Sequence, residues 1–167
     1  MDVRLVDPAA RPGRGWAYGT DDPRHLLNVP ARRMSAFAED PGDFARWLAA
    51  RGQTCAEGGY APRMLYGAYL ADVLDEAGRH SVPAWLRFVR DEVVRVDDAG
   101  PVVAVTLGCG RVRRSEAAIL ALGNAGLNLE WAPTCLRASD LFVGDPWRPG
   151  ALASVPPVPP SCSSAPG

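Results

Sequence analysis

Val3-Arg4-Leu5-Val6-Asp7 follows the initial Met-Asp directly. A short run rich in β-branched residues predicts a buried strand, and Asp7-Pro8 ends it. The chain then enters a loop carrying Gly13, Arg14, Gly15 and Gly19. A strand that ends in an acid and runs into a Gly/Arg loop suits the ribose of a nucleotide. One carboxylate can accept hydrogen bonds from two vicinal hydroxyls. The usual companion of such a strand is a Gly-rich phosphate turn about 20 residues earlier. No residues before Val3 supply one, so the expected fold is a nucleotide-binding domain that lacks its first strand.

Composition narrows the class. A chain of 167 residues suits one domain with a real core. A net charge of −1 gives no electrostatic case for nucleic acid or for an anionic membrane. All 18 basic residues are arginine, which we read as codon bias rather than a binding feature. No apolar run approaches about 18 residues, so no membrane span is expected. The first residues lack the apolar core of a secretory signal. Together these point to the cytoplasm. Cys55, Cys109, Cys135 and Cys162 have neither metal-site nor Cys-x-x-Cys spacing and are expected as free thiols. His25 and His80 lie far apart with no carboxylate-rich setting, which gives no support to a metal site or a catalytic triad.

Periodicity supplies the elements. His25 to Pro30 is apolar and bounded by prolines, which predicts an extended segment. Asp40 as N-cap and Pro41 at the first position predict a helix presenting Phe44, Trp47 and Leu48 on one face and closed by Gly52. A second helix is predicted from Pro62. Leu65, Tyr69, Val73 and Ala77 recur every four residues, as do Tyr66, Leu70 and Leu74, and Gly78 is the expected stop. From Trp85 the period changes. Leu86–Val96, Val102–Leu107 and Arg111–Arg114 predict a β-meander with turns at Asp97–Gly100 and Gly108–Gly110. Ala117–Leu122 is continuously apolar and predicts a parallel strand buried on both faces, ending at Gly123. Residues 151–167 have no periodicity and are expected to be a disordered Pro/Ser-rich tail.

Several segments together resemble the FAD/NAD(P)-binding proteins with two dinucleotide-binding domains, related to flavin-dependent monooxygenases. They are Gly13–Thr20, His25–Ser35, Pro62-Arg63 with Tyr66-Gly67 and Tyr69-Leu70, Ile119–Asn124, and Asp145-Pro146-Trp147. The resemblance implies an α/β fold: an incomplete Rossmann-like domain over residues 1–150, with two helices and a β-meander. It implies FAD as cofactor and NAD(P)H as its reductant in the full-length family, with no nucleic acid or membrane partner. Nothing in it sets an oligomeric state.

Carried onto this chain, the resemblance makes Asp7 the acid that holds the adenosine ribose. Gly13 and Gly15 let the backbone approach the cofactor, and Arg14 faces the pyrophosphate. Asn28 and Arg63 match positions near the flavin or its phosphates, with a capping or surface role as the alternative for each. Val93 matches the backbone group that touches adenine, and Gly123 the glycine that passes the cofactor after a buried strand. In the family, the point reached by the Pro/Ser tail continues into an apolar strand and a second Gly-rich turn. Codons exist for the tail that read as such a strand one frame over, so a frameshifted ending is an expectation that the gene sequence tests. The expected function is that of a fragment of an FAD-dependent, NAD(P)H-linked oxidoreductase, binding FAD weakly or not at all by itself. The alternatives are a non-catalytic nucleotide-binding or interaction module and an inactive truncated product.

Overall fold

The computed structural model describes residues 2–9, 12–53, 58–80, 85–98, 100–123 and 128–155. The expected tail from residue 156 onward, Cys55 and Cys162 lie outside the described residues. The elements run β1 (Asp2–Val6), α1 (Gly15–Tyr18), a 3-10 turn (Ala31–Arg33), α2 (Asp43–Ala49) and α3 (Arg63–His80). They continue with β2 (Trp85–Val89), β3 (Val93–Asp98), β4 (Val103–Leu107), β5 (Val112–Ser115) and α4 (Thr134–Arg137). The architecture is mixed α/β, as expected.

Two sheets form. β1 and β2 pair in parallel, with Val3 opposite Leu86 and Leu5 opposite Phe88. β3, β4 and β5 make an antiparallel meander in that order, with a register shift between Val93 and Arg95. The single strand expected over Leu86–Val96 is therefore two. Its first half leaves the meander to pair with β1, and Arg90-Asp91-Glu92 turns the chain between them. The cause is local. The Asp91 carboxylate accepts the Cys109 thiol and the backbone N–H groups of Glu92, Cys109 and Gly108, which holds its pKa below the ordinary value. One side chain thus binds the β2–β3 turn to the β4–β5 turn.

The core lies between α2, α3 and the extended segment before them. Phe44, Leu48, Tyr66 and Tyr69 are buried there with Leu27, Ala31 and Ala61. The rings touch edge to face or tilted, with centroids 4.9 Å apart for Phe44–Tyr66, 5.2 Å for Phe44–Tyr69 and 4.9 Å for Tyr18–Tyr66. Each such pair contributes about 0.5–1.5 kcal/mol beyond the area it buries. The Tyr69 hydroxyl donates to Asp43 Oδ2 (2.6 Å) and accepts the Ala36 N–H (3.0 Å). Burial, then the neighbouring Asp43, raises its pKa.

Three expectations are corrected. The first of the two long helices begins at Asp43, not after an Asp40 cap with Pro41 inside it. The Asp40 carbonyl instead accepts the Asp43 N–H (3.2 Å) in a preceding turn, and its carboxylate pairs with Arg46. The second helix passes through Gly78 and runs to His80. A single glycine costs a helix only about 1 kcal/mol against alanine, too little to stop it. The third correction is larger. Ala117–Leu122 forms no strand, and Ile119 is 94% and Leu122 84% exposed. A buried parallel strand needs a neighbour to pair with, and among the described residues none reaches this segment.

The aromatic core makes a direct prediction. Phe44→Ala should cost about 3–5 kcal/mol in urea denaturation. A loss under about 1 kcal/mol would place the folding core elsewhere.

Candidate functional site

α3 organises the candidate residues. The extended segment at His25–Pro30 is held along its start: Leu26 bridges Pro62, and the Leu27 N–H donates to the Ala61 carbonyl (2.9 Å). The Arg63 N–H donates to the His25 carbonyl (2.7 Å), and Arg63 Nε donates to the Leu26 carbonyl (2.8 Å). Arg63 and the segment carrying Asn28 therefore meet at the N-terminal end of α3. Asn28 is exposed.

The glycine loop reaches α3 further along. A Cβ on Gly13 would stand 3.1 Å from Leu74 Cδ2 and 4.0 Å from the Leu70 carbonyl oxygen. Gly13 and Gly15 have φ of +87° and +55°, which L side chains rarely adopt. α1 follows at once and lies on α3 at Gly67, where any Cβ would collide with the Tyr18 carbonyl. Seven to eleven helical residues separate Arg63 from Leu70 and Leu74, roughly 10–16 Å of rise. The loop and Arg63 thus mark two separated stations on one helix.

Asp7 stands just past β1, at the C-terminal end of the parallel pair, with its N–H on the Val89 carbonyl (3.1 Å). Its Oδ1 accepts the Ala9 N–H (2.8 Å), and among the described residues Oδ2 has no partner. Val93 begins β3 four residues beyond Val89, the last residue of β2. Gly123 has φ +66° and open space where its Cβ would be. The structure gives it no contact with the other candidates.

Arginine burial separates two residues from the rest. Arg14 and Arg63 are partly buried, and every other described arginine is exposed. Neither pairs with a carboxylate among the described residues, whereas Arg24, Arg46 and Arg51 each hold an aspartate. Arg14 Nε is buried without a hydrogen-bond partner. A partly buried guanidinium with no acid beside it keeps its charge uncompensated.

One cluster was missed by the sequence reading, which left His25 without a role. Thr20 is buried, and its Oγ1 shares a 2.6 Å hydrogen bond with His25 Nδ1. The His25 ring lies 4.7 Å from that of Trp147, and the Arg63 guanidinium lies 5.2 Å from the same indole. Arg24 NH1 donates to the Val155 carbonyl (3.0 Å) beside them. The legible signal was Thr20 two residues before Asp22, a pattern that builds a side-chain turn, and the Asp22 N–H does donate to Thr20 Oγ1 (3.1 Å).

The fold and these groups describe an α/β nucleotide-binding protein. The chain belongs to the FAD-NAD(P)-binding family, whose model matches residues 1–125. Comparison with curated proteins found no match. Among the described residues no helix is long and apolar enough to cross a membrane.

Two predictions follow from the local geometry. Gly67→Ala should destabilise the chain by about 1–3 kcal/mol, because α1 must move off α3; a melting curve superimposable on the parent's would show that α1 is not held there. The Asp22 carboxyl is lowered from 3.8 to about 2, first by the side-chain hydrogen bond from Arg24. A depressed folded-state pKa stabilises above the ordinary carboxylate range and is lost as pH falls toward 2. A carboxyl titration followed by NMR should show that low midpoint in the parent and a rise toward the ordinary range in Arg24→Gln, short of it because the backbone N–H of residue 24 still donates to the carboxylate.

Proposed function

We propose that this chain is a fragment of an FAD-dependent, NAD(P)H-linked oxidoreductase and carries part of its FAD site. The observation that carries this reading is the pair of partly buried, unpaired arginines, Arg14 and Arg63, set along α3 while Asp7 ends a parallel strand. An acid for a ribose and two separated cations for phosphates suit an extended dinucleotide better than a compact anion.

The donor set fits FAD in part. Asp7 offers carboxylate oxygens to the ribose hydroxyls. Gly13 and Gly15 give close backbone approach, and Arg14 faces the pyrophosphate. Arg63 and Asn28 lie near the flavin or its phosphates, the backbone of Val93 toward adenine, and Gly123 where the chain passes the cofactor. The missing part is a phosphate turn at the start of a long helix. The 167 residues contain no Gly-x-Gly-x-x-Gly, and α1, which follows the glycine loop, has only 4 residues. Bound FAD would supply the redox chemistry, accepting hydride from NAD(P)H. This chain's residues bind and orient it.

The exposed apolar run at residues 117–122 and the edge of β1 that is unpaired among the described residues favour a sheet completed by residues outside this chain. We therefore propose residues 1–150 as a partial domain, with residues 151–167 as a tail. Its binding of FAD alone should be weak. Purified chain should bind FAD in calorimetry but lose it on gel filtration, with no NAD(P)H oxidation. Retention of near-stoichiometric flavin through the column would overturn the fragment reading. Asp7→Asn should weaken adenosine binding by about 1–2 kcal/mol; unchanged affinity would remove Asp7 from the ribose.

A further inference from the structure

We propose that Trp147 is a positioning residue for Arg63, so that the segment around residues 145–155, outside the family match, forms one wall of the anion site. The inference rests on the dinucleotide reading above and adds to it a role for Trp147, which lies beyond the residues 1–125 that the family model matches.

Arg63 is held by neutral groups alone. Its Nε donates to the Leu26 carbonyl (2.8 Å), and its guanidinium lies over the Trp147 indole with Cζ 5.2 Å from the ring centroid. Among the described residues no carboxylate lies within ion-pairing reach of it. An indole orients a guanidinium without neutralising it, because the attraction comes from the ring quadrupole rather than from a counter-charge. An aspartate in the same place would fix the side chain but cancel its field. This pairing keeps the arginine in one geometry and its charge available to an anion. Its place at the first residue of the 18-residue α3 adds the positive end of a helix.

The indole is fixed in turn. The His25 ring packs on it at 4.7 Å with a 48° tilt. His25 is anchored through Nδ1 to the buried Thr20 hydroxyl at 2.6 Å. On its own segment, the Trp147 N–H donates to Asp145 Oδ1 (3.0 Å), which makes a side-chain turn at Asp145-Pro146-Trp147. A second tie, from Arg24 NH1 to the Val155 carbonyl (3.0 Å), holds the same segment against the 20–26 loop. The order of support is Thr20, His25, Trp147, Arg63. The His25 backbone closes it, since its carbonyl accepts the Arg63 N–H (2.7 Å).

The test uses the full chain and the variants Trp147→Leu, Trp147→Phe and Arg63→Gln, with ADP and adenosine as probes. The proposal expects ADP affinity to fall roughly 5- to 30-fold in Trp147→Leu and in Arg63→Gln, the range of one cation–π contact. Adenosine affinity should stay unchanged in both, and Trp147→Phe should restore most of the ADP affinity. ADP bound by Trp147→Leu within about twofold of the parent, while Arg63→Gln weakens it, would overturn the positioning role. A ligand-free readout separates this from failure of the nucleotide reading. The Arg63 Nε–H resonance should carry an aromatic ring-current shift in the parent, lose it in Trp147→Leu and keep part of it in Trp147→Phe. If the parent binds neither ADP nor FAD, the nucleotide reading falls and with it the anion-site wall. An unchanged resonance in Trp147→Leu overturns the positioning role whatever the parent binds.

Discussion

Aromatic packing on α3 sets where everything else can be. Phe44 packs edge-on against Tyr66 and tilted against Tyr69 from α2, and Tyr18 meets Tyr66 from α1, so two separate segments are indexed to the same helix. Once α3 is held, Gly13 falls against Leu74 and Arg63 falls beside His25–Leu26. The candidate site therefore owes its spacing to a hydrophobic cluster rather than to any polar contact within it. The polar ties of α2 are consistent with this order. Arg46 and Arg51 hold aspartates at the surface, where an ion pair is worth about 0–1 kcal/mol.

The sheet side of the molecule is less self-sufficient. β1 and β2 form a parallel pair with no further strand among the described residues. Parallel strands are ordinarily buried on both faces, and a two-stranded sheet is marginal without packing support. Here the pair is supported by α3, which packs on β2. The apolar run at residues 117–122 has the composition of a third parallel strand and none of the contacts of one. Ile119 and Leu122 keep the side chains of a core while standing in solvent. The local sequence and the surroundings disagree there, and the disagreement is what an incomplete sheet would leave.

Much of the fold was legible because its helices carry their own signal. The four-residue recurrence of Leu65, Tyr69 and Val73 needed no tertiary information, and Phe44 and Leu48 named the buried face of α2. What was illegible depended on partners distant in sequence. The apolar pattern of residues 86–96 reads as one strand, yet Asp91 breaks it by collecting donors from a hairpin some 17 residues on, at Gly108 and Cys109. Ala117–Leu122 reads as a buried strand because periodicity reports what a segment wants to bury, not whether anything is there to bury it. At the site, the strand-ending Asp7 and the Gly/Arg loop came from residue type and order, and Arg63 came from the family resemblance. The Thr20–His25–Trp147 support did not, since its members lie 5 and 122 residues apart and only the fold brings them together.

The distribution of arginine shows how one residue type serves two purposes in this chain. With no lysine available, the basic side chains are guanidiniums, and most sit at the surface, some in local pairs such as Arg4 with Asp2 and Arg95 with Asp97. Such pairs span two residues, cost little to form and stabilise little. Arg14 and Arg63 differ in being drawn partly inside without an acid. Desolvating a guanidinium is unfavourable, and a protein that needed only a surface cation would have left it in water. Arg63 is retained in that position by an indole and a carbonyl, which compensate the loss of hydration without supplying an opposite charge. That arrangement leaves the positive charge unneutralised, as the proposed anion site requires. It suits a residue whose counter-charge arrives with a ligand.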